Sequence, residues 1–297
     1  MDGKAQIIRH PMVDTLTHGG WKKMGVPDSS ENGLSFSLAD VAFLANSENR
    51  VAVLDRLREG SHSRHVLAEQ VGVSRVTLGR ILDDLEARHW ISQHGQLAEI
   101  TLLGAWVVEE FGCLCTMMHA ERKLRNVAKW FPDDGYGFHI RRLADADITL
   151  VTPADASAPI DQLVRQLTDA DRVRAFSFAI TGQFLDALWR HVVERERTYE
   201  WVFTSDVLAV LKTNAEMASR SRDMLESGRA KFHHYEGPIP HVTIITGGTV
   251  NIRLADREGA PSALLQSTDE EVRTWAATTF EDYRSQAHPL DPETFTR

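Results

Sequence analysis

Lysine is scarce in this sequence of 297 residues, where 33 basic residues include only seven lysines. The 42 acidic residues outnumber the basic ones and give a formal net charge of −9. Such a chain lacks the overall positive charge that usually marks a nucleic-acid-binding protein. Any binding to nucleic acid must therefore depend on where the arginines lie, and not on their number.

Cysteine is scarcer still, since Cys113 and Cys115 are the only two. They are too few for a disulfide framework, which favours a reducing compartment. Residues two apart on a helix do not face each other, so the pair cannot form a disulfide within one chain without unwinding the helix. We expect both to be buried and inert, with a disulfide between two subunits as the alternative.

Long apolar runs are also missing, because none approaches the ~18 residues of a membrane span. The N-terminus has no apolar signal core either. These two absences predict a cytoplasmic protein that does not contact a membrane.

The chain is long enough for two domains, and its pattern divides it into four segments. Residues 1–35 are polar and interrupted by glycine and proline, which predicts a flexible arm. Residues 36–104 are predicted to form a helical domain that ends in a hairpin. Residues 105–137 hold a long helix and a turn-rich linker, and residues 138–297 form an α/β domain.

Serine residues precede each predicted helix of the second segment. Ser37, with Asp40 at the capping-box position, is expected to cap the first helix, Ser47 the second and Ser74 the fourth, while the third runs from Ser63 to Gly72. The last two helices are joined by the short turn Gly72-Val73, which predicts a helix-turn-helix. Two short strands follow, 90–93 and 96–101, with a turn at His94-Gly95 that completes a winged helix.

The helix that begins at Ser74 has a separate apolar and polar face. Leu78, Leu82 and Leu85 form the apolar stripe. In a helix-turn-helix the N-terminal half of the second helix enters the major groove, where an arginine can bind a guanine edge with two hydrogen bonds. Gly79 costs about 1 kcal/mol relative to alanine, which suggests close approach to the DNA duplex or to a neighbouring helix.

We therefore predict double-stranded DNA with a palindromic operator as the partner, bound by a homodimer. The alternative to a DNA contact is an ordinary solvated helix face for the arginines and an ordinary polar turn for the residues at the hairpin. The long helix offers the dimer interface through a stripe of Val107, Phe111, Leu114, Met118 and Leu124, and the alternative is that this stripe packs on its own domain. The predicted DNA contacts are Arg64, Ser74, Arg75, Thr77, Gly79, Arg80, His94 and Gln96.

Beyond residue 137 strands alternate with helices, which predicts an α/β domain on a mixed sheet. The hairpin HVTIIT-GG-TVNIRL turns at Gly247-Gly248. The last helix carries a capping-box pattern at Thr268 and Glu271. Because ligands of open α/β sheets bind beyond the carboxyl ends of the strands, an unknown small-molecule effector is expected there.

The predicted ligand contacts follow the strands directly, and their alternative role is to cap helices or to shape a loop. No cofactor is predicted. No metal site is predicted either, because the adjacent His233 and His234 point to opposite faces of a strand and cannot easily chelate one ion. The candidates are Thr181, Gln183, Thr204, Ser205, Glu236 and His241.

The stretches FLANSENRVAVLDRLREG, GVSRVTLGRILDDLEARHWI and LAEITLLGAWVVEEF resemble winged-helix transcriptional regulators of halophilic archaea. The stretches YEWVFTSDVLAVL, MLESGRAKFHHYEGPIP and EEVRTWAATTFEDYRSQ resemble their C-terminal domain, a type named after a methanogenesis regulator. That domain is similar in layout to the sensing half of TrmB-type regulators and to phospholipase D. The resemblance implies a DNA-binding dimer with an α/β sensor domain.

Catalysis is not expected from this sequence. Phospholipase-D chemistry requires a His-x-Lys pair in which histidine attacks a phosphate, and no histidine here is followed by lysine two places on. Phosphate-binding and nucleophile-elbow motifs are missing as well. The predicted function is a sequence-specific transcriptional regulator with a ligand sensor. The alternative is a winged-helix adaptor that binds proteins and does not read DNA.

Overall fold

The computed structural model of the chain describes residues 31–132, 135–255 and 261–296. The chain divides between Met118 and His119 into two compact units, here the N-terminal and the C-terminal unit. Most of the predicted arm lies outside the described residues. Its last five residues belong to a helix that begins at Glu31, so the prediction that Ser37 caps the first helix is wrong.

The N-terminal unit consists of helices and one small antiparallel sheet with the strand order β1-β3-β2. Strand β1 was not predicted, because two residues are too few to show an alternating pattern. The elements are α1 (Glu31–Ala45), α2 (Glu48–Arg58), β1 (His62–Ser63), α3 (Arg64–Val71), α4 (Arg75–Glu86), β2 (Ile91–His94), β3 (Leu97–Ile100) and α5 (Leu102–Leu124).

The turn between α3 and α4 forms as predicted. Ser63 and Ser74 occupy the N-caps, and their hydroxyls accept hydrogen bonds from the backbone N–H groups of Val66 and Thr77. Gly72 ends α3 with φ of 74°, in the left-handed region that glycine adopts without steric cost. The two serine caps and the left-handed glycine therefore fix where α3 ends and where α4 begins.

The hairpin turn lies one residue later than predicted. His94 is the last residue of β2 and pairs with Leu97, so Gly95 and Gln96 form the turn. Gly95 has φ of 64°, which a residue with a Cβ adopts only with strain. The position of glycine in the turn therefore decides the strand pairing.

The core of the N-terminal unit lies where the apolar stripe of α4 predicted it. Leu78, Leu82 and Leu85 are buried against residues of α2 and α3. The first turn of α5 is held against the hairpin, since a Cβ at Gly104 would lie 2.0 Å from the carbonyl oxygen of Trp90. Glycine is required at this position.

The C-terminal unit is built on an eight-stranded mixed sheet with the order β11-β7-β6-β5-β8-β9-β10-β4, which confirms the predicted mixed sheet. Strands β5, β6 and β7 are parallel and the other pairings are antiparallel. The elements are β4 (Asp147–Leu150), α6 (Ala158–Asp169), β5 (Arg172–Ser177), α7 (Gly182–Trp189), β6 (Thr198–Thr204), α8 (Ser205–Thr213), α9 (Ala215–Glu226), β7 (Ala230–Tyr235), β8 (Val242–Thr246), β9 (Thr249–Ala255), β10 (Pro261–Ser267), α10 (Glu270–Gln286) and β11 (His288–Pro289).

Each face of the large sheet has its own hydrophobic core. Helices α6 to α9 contribute to one core, and α10 with the end of α5 contributes to the other. The predicted cap of α10 is wrong by one residue: Asp269, and not Thr268, accepts hydrogen bonds from the N–H groups of Glu271 and Val272. Among the described residues, no helix combines the length and apolar character that crossing a membrane requires.

Candidate nucleic-acid interface and ligand-contact residues

The outer face of α4, residues 74–77 with Gly79 and Arg80, carries two exposed arginines. Within the described ranges, Arg75 and Arg80 make no hydrogen bond and no ion pair. The other end of this face holds the exposed carboxylate of Asp83. The N-terminal two thirds of α4 therefore present positive charge to solvent.

The neighbouring arginines behave differently, because most of them pair with a carboxylate. Arg64 instead donates to the side-chain oxygen of Gln93 at 2.6 Å. The outer face of α4 is thus locally positive, although residues 1–118 contain 15 acidic and 11 basic residues and the unit is net negative. The carboxylate pairs are Arg50–Asp84 at 3.4 Å, Arg56–Glu59 at 3.2 Å, Arg58–Asp55 at 3.6 Å and Arg88–Asp40 at 3.0 Å.

Ser74 and Thr77, both predicted DNA contacts, are exposed and bonded to each other. Their hydroxyl oxygens lie 2.9 Å apart, and Ser74 Oγ also accepts the Thr77 N–H at 3.1 Å. Each hydroxyl keeps further hydrogen-bonding capacity. The capping role of Ser74 is established, and a contact with DNA would be additional to it.

Gly79 lies in open space. A Cβ built there would meet no atom within 4 Å, apart from the backbone of its own helix. The predicted alternative, close approach to a neighbouring helix, is therefore wrong. Nothing in the fold requires glycine at this position.

The residues predicted at the hairpin serve partly to hold it in place. The backbone N–H of Arg64 donates to the carbonyl oxygen of Gln96, and His94 Nε2 lies 3.3 Å from a carboxylate oxygen of Glu99. His94 and Gln96 are exposed. Together with the Arg64–Gln93 bond, these contacts join the start of α3 to the hairpin.

Two exposed apolar residues, one on α4 and one on β3, were not among the predicted DNA contacts. Val76 is 69% exposed between the two arginines of α4, and Leu97 is 48% exposed on β3. The available signal for Val76 was an apolar residue on the polar face of an amphipathic helix. Exposed apolar side chains of this kind can contact the methyl group of thymine.

Helix α5 carries an apolar surface that its own unit does not cover. In the predicted stripe, Val107 and Phe111 pack against the N-terminal core, while Leu114 and Met118 are exposed. The middle of α5 joins neither core, so the expectation of two buried cysteines is wrong: Cys115 is exposed and Cys113 is half-buried. The exposed large apolar residues of α5 are Leu102, Leu103, Trp106, Leu114 and Met118.

The predicted ligand contacts do not converge on one site. Thr181 caps α7 and lines a cleft. The side-chain amide of Gln183 donates to Asp161 at 3.0 Å, and Ser205 lies 2.9 Å from His234 Nε2. Glu236 is exposed, as its position in the loop after β7 suggested.

Thr204 and His241 belong to the opposite face of the sheet from Thr181. Thr204 stands at the start of α8, and its buried hydroxyl has no partner among the described residues. His241 is 8% exposed, and both of its ring nitrogens are buried without such a partner. Burial lowers the pKa of His241 to about 4, so its ring is neutral near pH 7.

Aromatic rings enclose His241. Its ring centroid lies 5.3 Å from those of Tyr136 and Trp275 and 5.6 Å from that of Phe176. Phe138 stacks on Tyr136 with an interplanar angle of 7°.

His233 and His234 could have suggested a metal site. Both contact other side chains instead. His233 Nε2 lies 3.3 Å from a carboxylate oxygen of Glu200, and His234 faces Ser205. In the part of the chain that the structure describes, no three His, Cys, Asp or Glu side chains gather closely enough to hold a metal ion.

Comparison with solved structures gives low similarities. TrmBL2, described as an archaeal chromatin protein with a novel mode of DNA binding, is 16% identical over 84% of this chain and 98% of its own, with a TM-score of 0.39. The phospholipase D family member Nuc from Salmonella typhimurium is 12% identical over 49% and 99%, with a TM-score of 0.39. The methyltransferase CalO1 is 17% identical over 72% and 69%, with a TM-score of 0.21. At these values none of the three carries a conclusion about this chain.

Comparison with the curated proteins gives no match. Family models, in contrast, match both units. The model of the HVO_A0261 N-terminal domain matches residues 38–123, and the model of the middle domain of the methanogenesis regulatory protein FilR1 matches residues 156–286. The chain therefore contains an HVO_A0261 N-terminal domain followed by a FilR1 middle domain.

Proposed function

We propose that this protein is a DNA-binding transcriptional regulator that reads DNA with the outer face of α4. The observation that carries the proposal is the exposure of Arg75 and Arg80 without a described partner, while four arginines of the same unit pair with carboxylates. The regulatory role named in the description of the FilR1 family supports it.

The fold of the N-terminal unit supports a winged helix-turn-helix. A turn of three residues joins α3 to α4, the hairpin β2-β3 follows, and β1 adds a third strand to the hairpin. In this motif the N-terminal half of α4 enters the major groove. Arg75 and Arg80 then bind guanine edges, and Val76 contacts a thymine methyl group.

Selection of bound duplexes from a random DNA library tests this assignment. We expect an enriched palindrome for the wild type and at least a 30-fold loss of affinity for Arg75→Ala/Arg80→Ala, since each guanine contact contributes about 1–3 kcal/mol. The matched control is Arg56→Ala/Arg58→Ala, which removes the same charge from two exposed arginines of α2 that pair with carboxylates.

Three results of the selection decide between the candidate functions. Loss of affinity confined to the α4 variant supports direct reading of bases. An equal loss in both variants would mean that only net charge matters, and this contradicts the role given to α4. A wild type that enriches no duplex would favour a protein-interaction adaptor.

A homodimer is part of the proposal, because a palindrome requires two copies of α4. Its interface is the exposed apolar face of α5, whose clearest members are Trp106, Leu114 and Met118. Sedimentation is expected to give a dimer for the wild type and a monomer for Leu114→Glu/Met118→Glu. Val210→Glu on α8, which changes another exposed apolar residue, should stay dimeric. A monomeric wild type at micromolar concentration would contradict the dimer.

The C-terminal unit is proposed to receive a small-molecule signal, without catalysis. A ligand regulates DNA binding only if it binds the competent and incompetent states with different affinity. Thr181 is the predicted contact that lies in a cleft, and this cleft is the starting point for identifying the ligand.

A further inference from the structure

Strand β6 runs directly into α8 at Thr204 and Ser205, without an intervening loop. Ser205 is the first residue of α8 and is exposed. Because β6 lies between the parallel strands β5 and β7, Ser205 stands at the carboxyl end of the sheet, where open α/β sheets bind their ligands. A serine between a strand and a helix also has the position of the nucleophile in a class of acyl-transfer enzymes, although the flanking glycines of their motif are missing here.

The side chain of His234 contacts Ser205 from the neighbouring strand. Its Nε2 lies 2.9 Å from Ser205 Oγ, within hydrogen-bond distance. The parallel pairing of β7 with β6 places His234 beside Phe203, two residues before Ser205. In the tautomer that carries its proton on Nδ1, His234 accepts the hydrogen bond and can take the Ser205 proton when the oxygen attacks a carbon atom. The two side chains therefore have the geometry of a nucleophile and its general base.

The N-terminus of α8 supplies donors for the oxygen that becomes negative during acyl transfer. The first backbone N–H groups of a helix have no intrahelical partner and lie at the positive end of its dipole. The side chain of Thr204, at the N-cap, makes no capping hydrogen bond to them. The N–H of Asp206, directly after Ser205, has the position of the oxyanion donor that follows a serine nucleophile.

Two features limit the chemistry at Ser205 to one transfer of a neutral acyl group. Asp206 carries an exposed carboxylate beside Ser205, and this charge repels anionic acyl donors. Within the described ranges, His234 makes no second side-chain hydrogen bond, so no carboxylate orients it as in a Ser-His-Asp triad. Without that orientation water hydrolyses an acyl-serine slowly, and an acyl group taken up by Ser205 stays attached.

We infer that Ser205 is an acyl-acceptor site, which takes an acyl group from a neutral activated ester with His234 as the base. Ser205 Oγ forms a bond to the acyl carbon, and the bond from that carbon to the leaving oxygen breaks. The Ser205 proton passes through His234 to the leaving alcohol. The product is an ester of Ser205, and its formation does not depend on DNA binding.

Treatment of the full chain with p-nitrophenyl acetate tests the site, with mass spectrometry of the tryptic peptides as the measurement. Peptide 198–212 contains Ser205 as its only serine. We expect acetylation of this serine, which Ser205→Ala removes. His234→Gln keeps a polar side chain that cannot take up the proton, and it should slow the acetylation of Ser205 about tenfold or more.

Ser74 is the matched control within the same molecule. It is exposed and lies at the N-terminus of a helix, but its hydroxyl bonds to Thr77 and not to a histidine. In peptide 65–75, Ser74 should remain unmodified under the conditions that acetylate Ser205. Acetylation of the two serines at the same rate would mean that exposure at a helix N-terminus is sufficient, and this contradicts the role given to His234.

The remaining outcomes separate the acyl-acceptor site from the proposed function. An unmodified Ser205 in the wild type, or acetylation that His234→Gln leaves unchanged, would each overturn the site. If His234→Gln fails to fold, the comparison of Ser205 with Ser74 in the wild type still decides. Acetylation of Ser205 in a protein that selects no duplex keeps the site and contradicts the proposed function.

Discussion

The two units differ in the location of the polar groups that have no described partner. In the N-terminal unit these groups lie outside, where Arg75 and Arg80 face solvent without a described partner. Its buried polar atoms without a described partner are limited to Arg50 Nε and His62 Nε2. The interior of this unit is otherwise apolar and closely packed.

In the C-terminal unit the unexplained groups lie inside. Many surface arginines there pair with carboxylates, as Arg142 does with Glu271 at 2.7 Å and Arg229 with Glu196 at 3.0 Å. Folding alone does not favour buried donors and acceptors without partners, so the difference suggests recognition at the surface in one unit and in the interior in the other. The buried groups without a described partner are Tyr136 Oη, His191 Nε2, Tyr199 Oη, Thr204 Oγ1, Ser221 Oγ, Thr243 Oγ1 and both ring nitrogens of His241.

The close packing of the N-terminal unit is tested by Gly104→Ala, which has the largest expected effect. The new Cβ would lie 2.0 Å from the carbonyl oxygen of Trp90, and backbone on both sides prevents relief. We expect a loss of about 3–5 kcal/mol in the free energy of unfolding of this unit. Hydrogen exchange of α2, α3 and α4 measures it.

The control for Gly104→Ala is Gly112→Ala in the same helix. A Cβ at Gly112 meets nothing within 4 Å, so alanine should stabilise α5 by up to about 1 kcal/mol. A tolerated Gly104→Ala would contradict the close packing of α5 on the hairpin.

The buried His241 of the C-terminal unit predicts a pH dependence of stability. The pKa of His241 is about 4 in the folded protein, below the ordinary value of 6.5, because burial disfavours the charged ring. Between pH 4 and pH 6.5, His241 is protonated in the unfolded state and neutral in the folded state. The free energy of unfolding is therefore highest above pH 6.5 and decreases as the pH falls towards 4. The expected loss is about 3 kcal/mol.

Urea unfolding at several pH values between 7.5 and 4.5 measures this loss. His241→Phe fills the same place among aromatic rings and cannot titrate, so its profile should be flatter. Burial also lowers the pKa values of His191 and His233, so a residual slope is expected. A variant with the slope of the wild type would mean that His241 does not carry the pH dependence.

A smaller change in the free energy of unfolding is expected when a buried hydroxyl is removed. Its sign depends on whether that hydroxyl has a hydrogen-bond partner. Thr243 is fully buried and its Oγ1 has no described partner, so Thr243→Val should stabilise the unit by about 1 kcal/mol. Ser177 Oγ accepts a hydrogen bond from Trp201 Nε1 at 2.8 Å. Ser177→Ala leaves that N–H unpaired and should destabilise by about 1–3 kcal/mol. Chemical denaturation of both variants measures the difference, and two changes of equal sign would contradict it.

The sequence predicts best what short-range chemistry decides. The cap at Ser74 and the turn at Gly72 depend on neighbours in the chain, and they lie where they were expected. The exposed position of Arg75 and Arg80 follows equally from helical periodicity. Strand β10 was missed because it begins with proline, lacks an alternating pattern and depends on pairing with β9 and β4.

The interior of the C-terminal unit was less predictable for the same reason. Arg253 reaches the cleft only because β9 pairs with β8 and places it beside Val242. His241 was expected at an open ligand site, but the aromatic rings of α10 and the segment around Tyr136 enclose it. Which residues meet on a sheet face depends on strand order, and strand order is a long-range property.

Gly79→Ala has the smallest expected effect on stability and the most direct bearing on the outer face of α4. Alanine should stabilise α4 by about 0.5–1 kcal/mol, because its Cβ enters open space and helix propensity improves. If α4 lies in the major groove, the same Cβ approaches the duplex and weakens DNA binding while the protein becomes more stable. Thermal unfolding and DNA titration of Gly79→Ala and of the control Gly112→Ala measure the two effects together. Stabilisation with unchanged DNA affinity would mean that the backbone of α4 does not approach the duplex at this position, and it would leave recognition to the longer arginine side chains.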